Sequence, residues 1–226
     1  MTTLLITDAV ELVRKNLDEL DPNGSIMFQD ENGSAVEHGD NASLDDVVRR
    51  SLPEAINDVH LAAPPQLLEG KEVTASGPAV SEDGILSFSL PEGSKFLRLV
   101  AFRAADSGIV VTDPLPEASP EGRKQLNKYV RGRYDRPRLI LLQGRHTEPA
   151  FKYYSMKDGY DGAAADAIAQ LSIVEEQFYA SDATGYDISR RLRQNIIDAL
   201  TAKVIETRGD QLAQSYYQKA NNFPSI

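Results

Sequence analysis

Apolar residues recur at helical spacing near both ends of this chain and at strand spacing between them, so the fold has to join helical ends to a β-rich middle. Near the start, Val10, Val13, Leu17 and Leu20 recur at spacings of three and four, one apolar stripe along a helix. Asp8 is placed to cap that helix, with Glu11 three residues on, and Asp21-Pro22-Asn23-Gly24 ends it. Apart from Ile26-Met27-Phe28, residues 21–42 are polar with scattered glycines and read as a loop. A second helix starts at Ser43, where Leu44, Val47, Val48, Leu52, Ile56 and Val59 hold the period to about Leu61. Pro53 lies inside it and predicts a kink or a division into two short helices, because proline removes a backbone donor and crowds the preceding turn.

The middle changes character. Glu72–Ala75, Ile85–Leu90, Phe96–Arg103, Ile109–Val111, Arg138–Leu142 and Phe151–Met156 are short runs of strand-type residues, with turn signals such as Ser81-Glu82-Asp83-Gly84 between several of them. A short helix is expected at Pro120–Val130, with Pro120 in its first turn. Leu171, Ile173 and Val174 favour a strand over Ile168–Glu175. Beyond it, Ile188, Leu192, Ile196, Ile197, Leu200, Val204 and Ile205 form the stripe of a helix capped by Thr184 or Asp187 and running through Glu206; a last helix spans Asp210–Asn221. The expected fold is α+β: a terminal four-helix bundle built from residues 1–66 and 180–226, with an antiparallel β-domain inserted at residues 67–179.

Composition narrows the chemistry. No cysteine is present among the 226 residues, which removes disulfides and thiolate metal sites. His38, His60 and His146 are isolated, and no metal or cofactor is expected. Asp30–Ser34 has a calcium-loop flavour but lacks glycine at the sixth position (Ala35) and glutamate at the twelfth (Asn41). Carboxylate neighbours such as Asp45-Asp46 and Glu175-Glu176 have nothing to set them across a cleft. Zincin, nucleophile-elbow and phosphate-loop motifs are absent, so the expectation is a protein without catalysis. No apolar run approaches a membrane span, and a soluble protein made in a cytoplasm is expected.

Charge is distributed unevenly. The formal net charge is -10; residues 1–92 hold 5 basic and 18 acidic side chains, the remainder 19 and 16. Against that balance stands one basic stretch, Arg123 to Arg145, with Arg123, Lys124, Lys128, Arg131, Arg133, Arg136 and Arg138, Asp135 as its one acid, and Tyr129 and Tyr134 interleaved. Three readings fit it: a solvated basic loop beside a strand, a contact with an acidic face on a neighbouring subunit, or a surface facing a nucleic-acid backbone.

The terminal helices carry a resemblance. The run Tyr186-Asp187-Ile188-Ser189-Arg190-Arg191-Leu192-Arg193-Gln194-Asn195-Ile196-Ile197-Asp198-Ala199-Leu200 and on to Val204 looks like the penultimate helix of tailed-phage head-to-tail adaptor, or connector ring, proteins. Asp210-Gln211-Leu212-Ala213-Gln214-Ser215-Tyr216-Tyr217-Gln218-Lys219-Ala220 is similar to their last helix. Near the start, Val47 to Val59 ending at Ala62-Ala63-Pro64 fits their N-terminal helical pair. The middle, with Asn127-Lys128-Tyr129-Val130-Arg131-Gly132 leading to Arg136-Pro137, resembles the ring protein of crAss-like phages. The resemblance implies a non-enzymatic virion protein, made in a host bacterial cytoplasm, that assembles with itself as a dodecameric ring under the portal. Such a ring extends the DNA channel, passes the genome without reading its sequence, and meets further tail proteins. It also implies that the tail Phe223-Pro224-Ser225-Ile226 contacts the portal or a neighbour, with Phe223, Pro224 and Ile226 as its contact residues. From a different class, a soluble module whose β-domain recognises a carbohydrate or peptide is the alternative.

Overall fold

The computed structural model describes residues 2–18, 40–142, 149–154, 156–157, 160–207 and 212–224, without the side chains of residues 18, 40–43 and 207. In chain order, β1 (Thr2–Leu5) runs directly into α1 (Ile6–Asp18), and α2 (Asp40–Ala62) follows. Next come β2 (Lys71–Glu72), β3 (Ser76–Val80), β4 (Leu86–Ser89), β5 (Phe96–Ala104) and β6 (Leu115–Pro116). A short α3 (Pro120–Lys124) leads to β7 (Arg138–Leu142), β8 (Ala150–Tyr154) and β9 (Ile168–Glu175). β10 (Gly185–Ile188), α4 (Arg193–Thr207) and α5 (Ala213–Ala220) complete the chain. It forms two compact units, one of Met1–Glu69 with Gln177–Ile226, the other of Gly70–Glu176.

The first unit is organised around α4. This helix is apolar nearly all round: Ile196, Ile197, Ala199, Leu200, Ala202, Val204 and Ile205 are all buried. A helix with no solvent face has to lie at the centre of its neighbours, and α1, α2 and α5 pack on it. Its buried polar groups are satisfied locally. Thr201 Oγ1 donates to the Ile197 carbonyl at 2.8 Å and accepts from Asn16 Nδ2 at 3.1 Å. Lys203 reaches Asp58 at 2.8 Å and Glu54 at 3.0 Å on α2. Burial works against its charge, but the bonds to Asp58 and Glu54 outweigh that and hold the ammonium above its usual range. α2 contributes the facing stripe, Leu44, Val48, Leu52, Ala55, Ile56 and Val59. It passes through Pro53 as one helix; buried residues on both sides of the proline hold the two halves in line despite the missing donor.

The terminal segments of this unit also pair as an antiparallel ribbon, with Thr2 opposite Ile188 and Leu5 opposite Gly185. Leu4, Tyr186 and Ile188 face inward. On the outer face Thr3 Oγ1 donates to Asp187 Oδ1 at 2.9 Å.

The second unit has a single aromatic-rich core between two sheets. Five strands run in the order β3-β4-β8-β7-β6, and three in the order β2-β9-β5. Phe88 stacks on Phe102 and on Phe151, with centroids 5.1 and 5.2 Å apart, and Phe102 tilts against Tyr153 at 5.1 Å. Leu86, Leu90, Leu99, Leu139, Met156, Leu171 and Ile173 close the cluster. β3 reads Ser76-Gly77-Pro78-Ala79-Val80 and lacks a strand pattern, yet it pairs at the edge of the sheet, where proline leaves no ladder bond unmade.

Several expectations are corrected here. The molecule is not a terminal four-helix bundle around an inserted antiparallel β-domain. Its helices fall at the N-terminus, in the middle at α3 and at the C-terminus; the terminal segments carry the β1–β10 ribbon; and β6 runs parallel to β7. The bundle expectation missed the ribbon because Ile188, expected at the head of a helical stripe, is a strand position, and β1 and β10 are four-residue strands too short to show a pattern of their own. Accordingly neither Thr184 nor Asp187 caps a helix: α4 begins at Arg193, after a 3-10 turn at Arg190–Leu192. Asp8 sits within the first turn of α1 rather than ahead of it. Lastly, Ile109–Val111 provides only a bridge from Val111 to Phe102, and the helix expected over Pro120–Val130 stops at Lys124. Among the described residues, no helix is long and apolar enough to cross a membrane.

Candidate partner-docking platform

The basic stretch becomes a built surface in the second unit. Pro116 and Leu115 of β6 lie alongside Leu141 and Ile140 of β7, and the chain between these strands folds back on itself. Ser119 starts the fold: its hydroxyl donates to the Pro116 carbonyl at 2.7 Å and accepts from the Gly122 amide at 3.0 Å, the N-cap of α3. Turns follow. The Asn127 carbonyl accepts from the amides of Val130 and Arg131 at 3.0 and 2.9 Å, and its side chain accepts from the Tyr129 amide at 3.0 Å. Arg133 and Arg136 close a four-residue turn through paired backbone bonds of 3.3 and 2.9 Å.

Two glycines and one glutamine lock this path. A Cβ on Gly122 would stand 2.2 Å from the Pro116 carbonyl oxygen, and one on Gly132 would stand 2.6 Å from the Tyr154 carbonyl oxygen and 2.9 Å from the Arg138 nitrogen. Gln125 is buried beneath the loop; its Oε1 accepts from the Gly132 amide at 2.7 Å and its Nε2 donates to the Glu121 carbonyl at 3.2 Å. Gly132→Ala is therefore expected to destabilise the protein by about 1–3 kcal/mol through backbone displacement, read as a lower urea midpoint. An unchanged midpoint would show that β8 and the loop are not held this closely.

The cationic side chains divide into two groups. Arg131 is mostly buried, with 17% of its side chain exposed; it donates to the Asp83 carbonyl at 3.1 Å and lies 3.9 Å from the Asp83 carboxylate. Its charge also opposes the upward push that burial gives the Tyr154 phenol. Arg131 thus ties the loop down. Arg123, Lys124, Lys128, Arg133, Arg136 and Arg138 are exposed. Lys124 reaches Glu121 at 3.9 Å, and Lys128 lies over the Tyr129 ring at 5.5 Å. Among the described residues no carboxylate pairs with Arg123, Arg133, Arg136 or Arg138. Arg145 lies outside the described residues.

Large apolar side chains stand among these cations. Leu126 is 72% exposed, Tyr129 78% and Val130 59%. Tyr134 is 42% exposed and its hydroxyl donates to the Asp106 carbonyl at 2.8 Å. A groove of about 550 Å³ runs past Leu115, Tyr129, Val130, Arg133, Arg136 and Arg138. Guanidinium forks beside exposed tyrosine and leucine are suited to carboxylates on an apolar backing. Arginine and aromatic side chains are the residue types enriched at the centres of protein contacts in general.

The other sequence candidates lie elsewhere. Phe223 is half-buried and Pro224 exposed, while Ile226 lies outside the described residues. Sequence reasoning missed Asn195, whose Nδ2 donates to the carbonyls of Ala220 at 2.8 Å and Asn222 at 3.2 Å, fastening the chain end to α4 just before Phe223. An asparagine within an apolar helical run was the available signal. His60 is buried in α2, where its Nε2 accepts from the Ser189 amide at 3.4 Å; His38, His146 and the Asp30–Ser34 loop lie outside the described residues. Among the described residues no group of three His, Asp or Glu side chains is placed to hold a metal. No protein-family model matches the chain, and no curated protein matches it.

Proposed function

We propose that this chain is a structural subunit of a virion head-to-tail connector, a ring beneath the portal that extends the DNA channel and joins capsid to tail. The observation that carries the reading is the platform: exposed Leu126, Tyr129 and Val130 beside Arg133 and Arg136, which pair with no carboxylate among the described residues, on a frame that Gly122, Gly132 and Gln125 hold in place. Such a surface loses little entropy on docking and gains from a partner's carboxylates. The residues on which the resemblance to connector proteins rests lie on β10, the buried α4 and the α5 that follows it. In this reading the net charge of -10 suits a channel wall that must pass DNA without gripping it.

Mass photometry of the purified chain, alone and mixed with a portal protein, tests the proposal. A closed ring, formed alone or on the portal, is the expected outcome. A monomer that ignores the portal overturns it. That second result is what the alternative, a soluble module recognising a carbohydrate or peptide, requires. The exposed rings of Tyr129 and Tyr134 favour that alternative, since exposed aromatics suit a ligand with both apolar and polar surface. It predicts in addition that Tyr129→Ala abolishes ligand capture by a monomeric protein.

A further inference from the structure

The platform has an excess of positive charge, and the chain carries a segment of the opposite character. Residues 19–39 contain Glu19, Asp21, Asp30, Glu31 and Glu37, no lysine or arginine, and three consecutive large apolar residues, Ile26-Met27-Phe28. This pairs carboxylates with an apolar anchor, as the platform pairs guanidinium groups with exposed Leu126, Tyr129 and Val130. Residues 51–70, 72–94, 104–122 and 158–189 also lack lysine and arginine, but the first belongs mainly to α2, the second and the last carry the paired strands β3, β4, β9 and β10, and 104–122 belongs to the platform's own rim: the Asp106 carbonyl holds Tyr134, and Glu121 lies 3.9 Å from Lys124. Asp45, just beyond the acidic segment, is engaged by Arg14 at 2.8 Å.

We infer that Arg133, Arg136 and the apolar cluster beside them receive the acidic segment 19–39 of a second copy of this chain. The inference rests on the assembly reading above and specifies its subunit contact. A head-to-tail contact uses two different patches on each copy, and repetition of one such contact closes a ring. Carboxylates of the incoming segment would take the fork donors of Arg133 and Arg136, and Ile26-Met27-Phe28 would cover Leu126, Tyr129 and Val130. Because the platform's charges are exposed, the contact weakens as salt is added.

The test is a charge exchange read by fluorescence anisotropy. A labelled synthetic peptide covering residues 17–41 is titrated with the full-length chain. Arg133→Glu with Arg136→Glu in the chain is expected to weaken binding about tenfold, since two exposed pairings turn from attraction to repulsion. A peptide carrying Asp30→Arg with Glu31→Arg should lose affinity for the unaltered chain and regain it for the charge-reversed one. That recovery also shows that the altered chain is folded. Failure of the native peptide to bind, or equal binding to both chains, overturns the inference. So does displacement of the peptide by a short DNA duplex at equal concentration, which would assign the platform to polyanions. A chain that forms a ring on the portal and yet fails the peptide test leaves the connector reading standing and this contact refuted.

Discussion

Phe102→Ala is expected to destabilise the protein by about 3–5 kcal/mol, the largest effect of any single substitution considered. Phe102 is completely buried, stacks on Phe88 and tilts against Tyr153. Its backbone amide and carbonyl exchange bonds with Val111 at 2.9 and 2.8 Å. Alanine would leave a void between β5 and the β4–β8 pair, and stacked rings cannot close it without losing their own offsets. Phe102→Leu should recover part of the loss because it refills most of the volume. Urea unfolding of both variants decides the matter; a loss below about 1 kcal/mol for Phe102→Ala would show that the core relaxes into the gap. Tyr129→Ala is the matched control. That ring is 78% exposed, so its removal should leave stability within about 0.5 kcal/mol while weakening the platform.

The second large effect is a response to acid. Burial lowers the His60 imidazole from 6.5 to about 4, because a charged ring within the first unit has no water to solvate it. Between those values the unfolded chain binds a proton that the folded chain refuses. Stability is therefore complete above pH 6.5 and falls as the pH drops toward 4. The gap is about 2.5 pH units, and at about 1.4 kcal/mol per unit the loss approaches 3 kcal/mol. Carboxylates elsewhere also contribute to an acid response, so the variant His60→Gln isolates this one. Urea unfolding at pH 7 and pH 4.5 should show a drop smaller by about 2.5 kcal/mol in the variant than in the native chain, since about two of the pH units lie in the window. Equal drops would mean that His60 is not excluded from protonation in the fold. The weakness lies where α2 packs on the Ser189 turn, whose amide bonds the ring.

Local patterns were legible in the residues. The stripe from Leu44 to Val59 gives α2, and that from Ile196 to Ile205 gives most of α4. Alternation in Phe96–Arg103 and strand-type runs at Phe151 and Ile168 correspond to β5, β8 and β9. These features are encoded within one or two turns or pleats, so the spacing of side chains along the chain is sufficient to reveal them. The cationic run from Arg123 to Arg138 was equally visible, as was its interleaving with Tyr129 and Tyr134.

Tertiary structure decided what those patterns are used for. The β1–β10 ribbon joins Thr2 to Ile188, two four-residue segments too short to announce themselves and paired only because the chain between them closes. Gln125 looked like an ordinary polar residue in a basic stretch; burial against the Gly132 amide makes it the peg of the platform. Arg131 looked like one cation among seven, but Asp83, distant in sequence, withdraws it from the surface and leaves Arg133 and Arg136 to face solvent. The sequence by itself determined where the longer helices and strands lie and where positive charge gathers, because both are local properties. Which charges are neutralised, which rings are exposed and which histidine is shut away from protons depend on contacts between distant segments, and those exist only once the core has formed.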